Sequence, residues 1–234
     1  MQSKQNTFLG ILITIIIFAI AMFVGAYIFS EPTISSITIF KLSVELTLSI
    51  IAIYLLKPNF NIKLPKLKPA IKVFFTGFGA TVLTMILLNV LEMLITGEKP
   101  TGKGHPALNR MTITQVFFFV FIGASIAEEM VFRGFLLNMI SSLKKYKLHL
   151  FKKQIGLHII ISALMFGAAH LILLKNGADL TFTLRIVVLT TIVGVFAGYF
   201  QEKYNNTSYA ILTHMGANLT GVIGMIVMQY ADIP

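Results

Sequence analysis

Seven apolar segments, each about twenty residues or longer, run through this chain of 234 residues. A helix of about twenty apolar residues spans the hydrocarbon core of a bilayer. Because 56% of the residues are hydrophobic and only 12% are charged, the chain has more apolar surface than a water-soluble domain can bury. The sequence therefore predicts an all-α fold, a polytopic transmembrane helix bundle of about seven spans. We expect these spans at 8–30, 33–56, 70–96, 112–142, 156–174, 182–201 and 209–230.

Lysine-rich loops predict how the bundle is oriented. The loop 57–69 carries four lysines and the loop 143–153 carries five, and such loops face the cytoplasm in most membrane proteins. Alternation of the spans then places the N-terminus inside and the C-terminus outside. The net charge of +10 is explained by these loops, which suit anionic lipid, so we expect no nucleic-acid partner. We expect a multi-pass protein of the cell membrane, and the short chain with lysine-rich loops favours a bacterial source.

The absence of cysteine, of several catalytic or phosphate-binding motifs and of internal repeats argues against several functional classes. The chain has no cysteine, which excludes disulfides, thiolate metal ligands and a cysteine nucleophile. No P-loop, HExxH or GxSxG motif occurs. No internal repeat is visible, so an inverted-repeat transporter gains no support.

The stretch GASIAEEMVFRGF, residues 123–135, places three charges inside an apolar segment. Charged side chains inside a membrane cost a few kcal/mol each, so each needs a partner or a function. Glu129 and Arg133 are four residues apart and lie on nearly the same helix face, where they can neutralise each other. Glu128 is directed away from that pair, which leaves one carboxylate for another task.

Two further motifs carry polar groups on separate segments. FGAAH, residues 166–170, contains His170, and HMGAN, residues 214–218, contains His214 and Asn218 on one helix face. The glycines and alanines within these motifs allow neighbouring helices to approach closely. A carboxylate, two imidazoles and an amide could therefore meet in one pocket inside the bundle.

The depths of these groups agree only in part. Glu128 and His170 both lie roughly 22 Å from the cytoplasmic ends of their helices. His214 lies only about six residues into its helix, which makes it shallower than the other two. Either the loop 205–208 dips into the protein or the predicted boundaries are wrong.

Other polar or small residues have simpler interpretations. Lys41 and Glu45 are four residues apart in the second segment, a spacing that predicts mutual neutralisation. Glu92 lies near the outer end of the third segment, where an interfacial position is expected. The small residues of GVFAG, 194–198, predict close helix packing.

Taken in order, the three motifs read E-E-x-x-x-R, F-x-x-x-H and H-x-x-x-N. They resemble the CPBP family of intramembrane proteases, also called the CAAX-protease and bacteriocin-processing or Abi family. The resemblance covers 112–222. We therefore expect a protease core at 112–234, preceded by three helices at 1–111, with both parts forming one membrane domain.

The resemblance implies a helical membrane fold with an intramembrane cavity that encloses the catalytic residues. It also implies that Glu129 and Arg133 support the catalytic groups. The six positions that it carries over are Glu128, Glu129, Arg133, His170, His214 and Asn218.

We expect the chain to be a peptidase in which no cofactor is required. Glu128 and His170 would hold a water, and Glu128 would take its proton as the water attacks a peptide carbonyl. His214 and Asn218 would donate hydrogen bonds to the oxyanion. The alternative is a metalloprotease in which zinc or another divalent metal is bound by Glu128, His170 and His214.

A site inside the membrane suits a membrane-associated peptide or protein substrate. Peptide processing, for example of a bacteriocin or pheromone, or bacteriocin self-immunity are the roles that the resemblance implies. A non-catalytic immunity or binding protein remains an alternative, which full function after Glu128→Ala would indicate. A proton-coupled transporter is a further alternative, and a pH-dependent flux would support it. The sequence leaves the oligomeric state open.

Overall fold

The protein is a multi-pass membrane protein whose described helices include seven that are long and apolar enough to cross a bilayer, as predicted. The computed structural model describes residues 2–24, 33–98, 110–150 and 153–230. The seven helices are α1 (Gln2–Ala19), α2 (Ile34–Leu56), α3 (Leu67–Thr96), α4 (Ile113–Met139), α5 (Leu157–Lys175), α6 (Leu180–Tyr204) and α7 (Ser208–Tyr230). A turn at His170 separates the two helical parts of α5, Leu157–Ala169 and Ile172–Lys175.

Polar caps set several of the helix ends and explain the small shifts from the predicted bounds. Thr33 begins α2 with a capping box, and Thr112 begins α4 in the same way. The side chain of Asp179 accepts a hydrogen bond from the Phe182 amide, which starts α6 two residues earlier than predicted. Asn205 adopts the left-handed conformation that ends α6. The end of the first predicted span, 25–30, lies outside the described residues.

Helix α4 alternates between α-helical and π-helical turns, which sequence periodicity did not predict. Its π-helical stretches are Val116–Ala124 and Met130–Leu136, and they flank the α-helical turn Ser125–Glu129. π-Helical turns are rare and often occur at functional sites. They disturb the regular backbone ladder, so carbonyl groups of α4 become available to side chains of other helices.

Helix α4 is the centre of the bundle. It packs against α1 and α2 on one side and against α5 and α7 on the other, while α3 packs against α6 and α7. The core around α4 consists mainly of fully buried apolar side chains. They include Val131, Phe132, Phe135, Leu136, Ile140 and Phe166.

The closest helix contact joins α3 and α7. A side chain at Gly216 would collide with the carbonyl of Phe74, and one at Gly77 would collide with the carbonyl of Thr213. Small residues at such crossings allow the two backbones to touch. This contact fixes the height of α7 in the bundle, and therefore the heights of its polar residues.

A short β-hairpin replaces the loop that was expected between α4 and α5. After a 3₁₀ turn at Ser141–Lys145, the strand β1 (Lys147–Leu150) pairs antiparallel with β2 (Lys153–Gly156). Lysine and apolar residues alternate from Lys145 to Leu148, the period that favours a strand. All other regular structure within the described residues is helical, so the predicted class is confirmed.

The turn between α6 and α7 is buried, which resolves the depth conflict over His214. Asn206 and Thr207 are both buried. The side chain of Asn206 accepts from the amide of Lys63 at 3.0 Å and donates to its carbonyl at 3.0 Å. The segment 61–66 therefore covers this turn, and α7 begins inside the protein rather than at its surface.

We expect Asn206→Ala to destabilise the protein by about 1–3 kcal/mol, because it leaves the amide and carbonyl of Lys63 without these partners. The measurement is the midpoint of thermal unfolding in detergent, followed by size-exclusion chromatography. Asn59→Ala is the matched control, since Asn59 is exposed in the same connecting segment. Equal midpoints for the two variants would contradict this role of Asn206.

Candidate active site

The centre of the site is a buried ion cluster that joins α4 to α7. Arg133 Nη1 donates to Glu129 Oε1 at 2.9 Å, one helical turn away, as the spacing predicted. The same carboxylate oxygen lies 3.0 Å from Nδ1 of His214. The side chains of Glu129 and Arg133 are both 0% exposed. Glu129 thus links the arginine of its own helix to the histidine of α7.

Aromatic rings and a glycine surround the guanidinium of Arg133. Its Cζ lies 4.6 Å from the ring centre of Phe166, a distance at which a cation is attracted to the ring face. On α6, a Cβ at Gly194 would lie 2.5 Å from Nη2 of Arg133. The small residue at the start of the GVFAG motif, 194–198, therefore leaves the space that the guanidinium of Arg133 occupies.

Side chains of two other helices hold the backbone of α4 beside this cluster. Ser162 Oγ on α5 donates to the carbonyl of Phe132 at 2.9 Å. Gln201 Nε2 on α6 donates to the carbonyl of Arg133 at 2.8 Å. The irregular π-helical turn explains why these two carbonyls accept hydrogen bonds from side chains of other helices. Sequence periodicity gave no signal for Ser162 or Gln201 as such donors.

Glu128 points to a different side, as predicted, and finds a partner that the sequence did not indicate. Its Oε1 accepts a hydrogen bond from Nζ of Lys41 on α2 at 2.7 Å. Lys41 also lies 3.3 Å from Oε1 of Glu45. The expected contact between Lys41 and Glu45 is present, but Lys41 also binds Glu128 and so bridges two carboxylates.

The two histidines lie on either side of Phe166. The ring centre of Phe166 is 5.2 Å from that of His170 and 5.3 Å from that of His214. Phe166 therefore separates the two imidazole rings.

Hydrogen bonds fix the tautomer of each neutral imidazole. Nδ1 of His170 lies 3.0 Å from the carbonyl of Phe166, which can only accept a hydrogen bond. Nδ1 of His214 likewise faces a carboxylate oxygen of Glu129. In both rings Nδ1 must carry the hydrogen, so the neutral forms present Nε2 as an acceptor.

Asn218 joins α7 to the start of the α-helical turn of α4. Its Nδ2 donates to the carbonyl of Val120 at 3.0 Å and to Ser125 Oγ at 3.1 Å. The hydroxyl of Ser125 in turn donates to the carbonyl of Phe121. Both amide hydrogens of Asn218 are therefore engaged within the protein, and donation to a substrate oxyanion requires one of these bonds to be exchanged.

The predicted metal ligands do not fit a metal ion in this arrangement. No group of three or more His, Cys, Asp or Glu side chains within the described ranges is placed to hold a metal. A metal on Glu128 would also lie close to the ammonium of Lys41, 2.7 Å from that carboxylate, and two cations repel each other at such range.

Comparison with known proteins points to one family. The family model described as "Type II CAAX prenyl endopeptidase Rce1-like" matches residues 110–220, just under half of the chain. No curated protein and no solved structure gives a significant match. The matched range contains the six motif residues on α4, α5 and α7, but it does not contain Lys41 or Glu45.

We expect Arg133→Ala to lower the amount of folded protein strongly, because it leaves Glu129 fully buried without its cation. Breaking a buried pair in this way costs about 3–5 kcal/mol. Fluorescence-detected size-exclusion chromatography of membrane extracts measures the effect. Arg185→Ala is the matched control: Arg185 pairs with Glu92 across α6 and α3 but remains 25% exposed, so its loss should be smaller. Normal accumulation of Arg133→Ala would refute the structural role of the pair.

Proposed function

We propose that this chain is an intramembrane endopeptidase of the CAAX, or CPBP, protease family that cleaves membrane-associated peptides or proteins, because residues 110–220 match the Rce1-like family model. The observation that carries the proposal is that the motif residues of α4, α5 and α7 pack together inside the bundle. Both imidazole rings of His170 and His214 lie against Phe166, and His214 is bonded to Glu129, the residue next to Glu128.

Glu128 and Nε2 of His170 together can hold a water molecule. Both are acceptors, since His170 carries its hydrogen on Nδ1, so the two hydrogens of one water can be donated to them. The oxygen lone pair of that water is then free to attack a peptide carbonyl. Glu128 takes the proton as the carbon–oxygen bond forms, which is the role of a general base.

His214 stabilises the oxyanion in this mechanism only in its protonated form. Its Nδ1 hydrogen is committed to Glu129, so donation from Nε2 requires the imidazolium. The buried carboxylate of Glu129 stabilises that cation, in the way that a carboxylate orients and supports a catalytic histidine. One oxyanion donor contributes about 3–4 kcal/mol in comparable sites.

Collapse of the tetrahedral intermediate completes the reaction. The carbon–nitrogen bond breaks, and Glu128 returns the proton that it took from water to the leaving amine. The carboxylate and the original charge distribution are thereby restored. Asn218 contributes by fixing α7 against α4, and it joins the oxyanion site if it exchanges one of its two hydrogen bonds.

We further propose that no metal takes part in this mechanism. The support is the misfit of Glu128, His170 and His214 to a metal ion beside Lys41. A zinc ion on Glu128 would require the ammonium of Lys41 to leave that carboxylate.

The cellular role that we propose is processing of leader-bearing peptides such as bacteriocins or pheromones, or self-immunity to a bacteriocin, in a bacterial cell membrane. The lysine-rich segments 57–69 and 143–153 support a cytoplasmic position for that end of the bundle. With α4 packed between α1–α2 and α5–α7, we propose that 1–111 and 112–234 act as one membrane domain.

We expect Glu128→Gln to abolish peptide cleavage while the protein remains folded in the membrane, since the amide cannot accept the water proton. Mass spectrometry of membrane and secreted peptides compares cells that carry the wild type or the variant at equal abundance, and the purified protein then confirms direct cleavage. Glu98→Gln is the control, because Glu98 is exposed at the end of α3. Identical peptide profiles with a retained phenotype would favour the non-catalytic binding protein instead.

We expect purified protein in lipid nanodiscs to keep its activity after prolonged incubation with a chelator such as 1,10-phenanthroline. The expected change is less than about twofold, because the proposed general base needs no metal. Loss of activity that zinc restores would overturn the metal-free mechanism.

A further inference from the structure

We propose that Lys41 and Glu45, on α2, are positioning residues of this site: Lys41 keeps Glu128 ionised and oriented, and Glu45 balances Lys41 when Glu128 is protonated. The inference rests on the proposed function for its catalytic part. Both residues lie outside the range of the family match, so the site extends into the N-terminal helices.

The geometry places one ammonium between two carboxylates. Nζ of Lys41 is 2.7 Å from Glu128 Oε1 and 3.3 Å from Glu45 Oε1. The lysine side chain is 17% exposed, whereas that of Glu45 is fully buried. A hydrogen bond to an ion at 2.7 Å is short and strong, so Glu128 is the main partner and Glu45 the second.

Charge balance explains why Glu128 needs a cation from another helix. Helix α4 presents two adjacent carboxylates near one arginine, and Arg133 is bonded to Glu129. Without Lys41, Glu128 would be a buried charge with no hydrogen-bonded cation among the described residues. Such a charge is strongly disfavoured in an apolar interior, and the neutral acid cannot accept a proton from water.

Glu45 matters during the reaction rather than before it. When Glu128 has taken the proton, its negative charge is gone and Lys41 would be left as an unpaired, partly buried cation. Glu45 has no described hydrogen-bond partner for either carboxylate oxygen and faces that ammonium. It therefore keeps the Lys41 charge compensated while Glu128 holds the proton.

Lys41→Met should lower kcat on the order of tenfold to a hundredfold with KM nearly unchanged, because the variant misplaces the base without touching substrate. Lys41→Arg should recover most of the activity, since it restores a cation. Glu45→Gln should give a smaller fall in kcat. Lys72→Met is the matched control, because Lys72 is an exposed lysine on α3. A loss that appears only in KM, or no loss in Lys41→Met, would overturn the proposal.

A second measurement does not depend on activity. Dicyclohexylcarbodiimide enters membranes and reacts with protonated carboxyl groups, and peptide mass spectrometry locates the adduct. We expect Glu128 to be labelled in Lys41→Met but protected in the wild type, Lys41→Arg and Lys72→Met. Equal labelling of Glu128 in all four proteins would refute the role of Lys41, even if no substrate were cleaved by the wild type.

A double variant that removes one positive and one negative charge serves as the control for misfolding. Lys41→Met with Glu45→Leu removes both charges together, and replacing a buried ion pair by apolar residues is often tolerated. Labelling of Glu128 in this double variant must match that in Lys41→Met. Protection of Glu128 in the double variant would overturn the proposal. If the wild type cleaves no peptide, the proposed peptidase function is refuted. Protection of Glu128 in the wild type together with its labelling in Lys41→Met would still support the positioning role of Lys41.

Discussion

The buried bond between Glu129 and Arg133 is the interaction on which the rest of the site depends. An ion pair with no exposure is stable inside an apolar bundle only when its geometry and its further contacts are good. Here the guanidinium lies over Phe166 and against Gly194, while the carboxylate binds His214. Arg133 therefore determines where α5, α6 and α7 come together, and His214, the histidine that we propose as an oxyanion donor, is oriented by the same carboxylate that holds the fold.

The adjacent residues Glu128 and Glu129 have different surroundings because of helix geometry. Successive residues point about 100° apart, so Glu129 faces α7 and Glu128 faces α2. The first is fully enclosed and bonded on one oxygen to two partners. The second is bonded to the ammonium of Lys41, whose side chain is partly exposed. The first environment suits a structural anchor and the second suits a group that must gain and lose a proton.

The sequence predicted the seven spans, the Glu129–Arg133 pair and the separate direction of Glu128, because these follow from hydropathy and from the spacing within one helix. It did not predict Lys41 as a partner of Glu128. Glu45, four residues after Lys41, already accounts for the charge of that lysine. The sequence therefore gives no sign that Lys41 has a second carboxylate partner on another helix. The π-helical turns of α4 were missed for a related reason, since they depend on contacts such as that of Gln201 with the Arg133 carbonyl rather than on local sequence.

The burial of the α6–α7 turn shows how a connecting segment between helices can help to position a buried site. Counting from the start of α7 places His214 too near the surface, yet Asn206 and Thr207 are buried beneath 61–66. The close α3–α7 crossing at Gly77 and Gly216 then holds that helix at its height. Since Glu129 must reach Nδ1 of His214 within 3.0 Å, a shift of one helical residue, about 1.5 Å, would break the contact. The lysine-rich connection before α3 thus contributes to the geometry of the candidate site although none of its residues lies in that site.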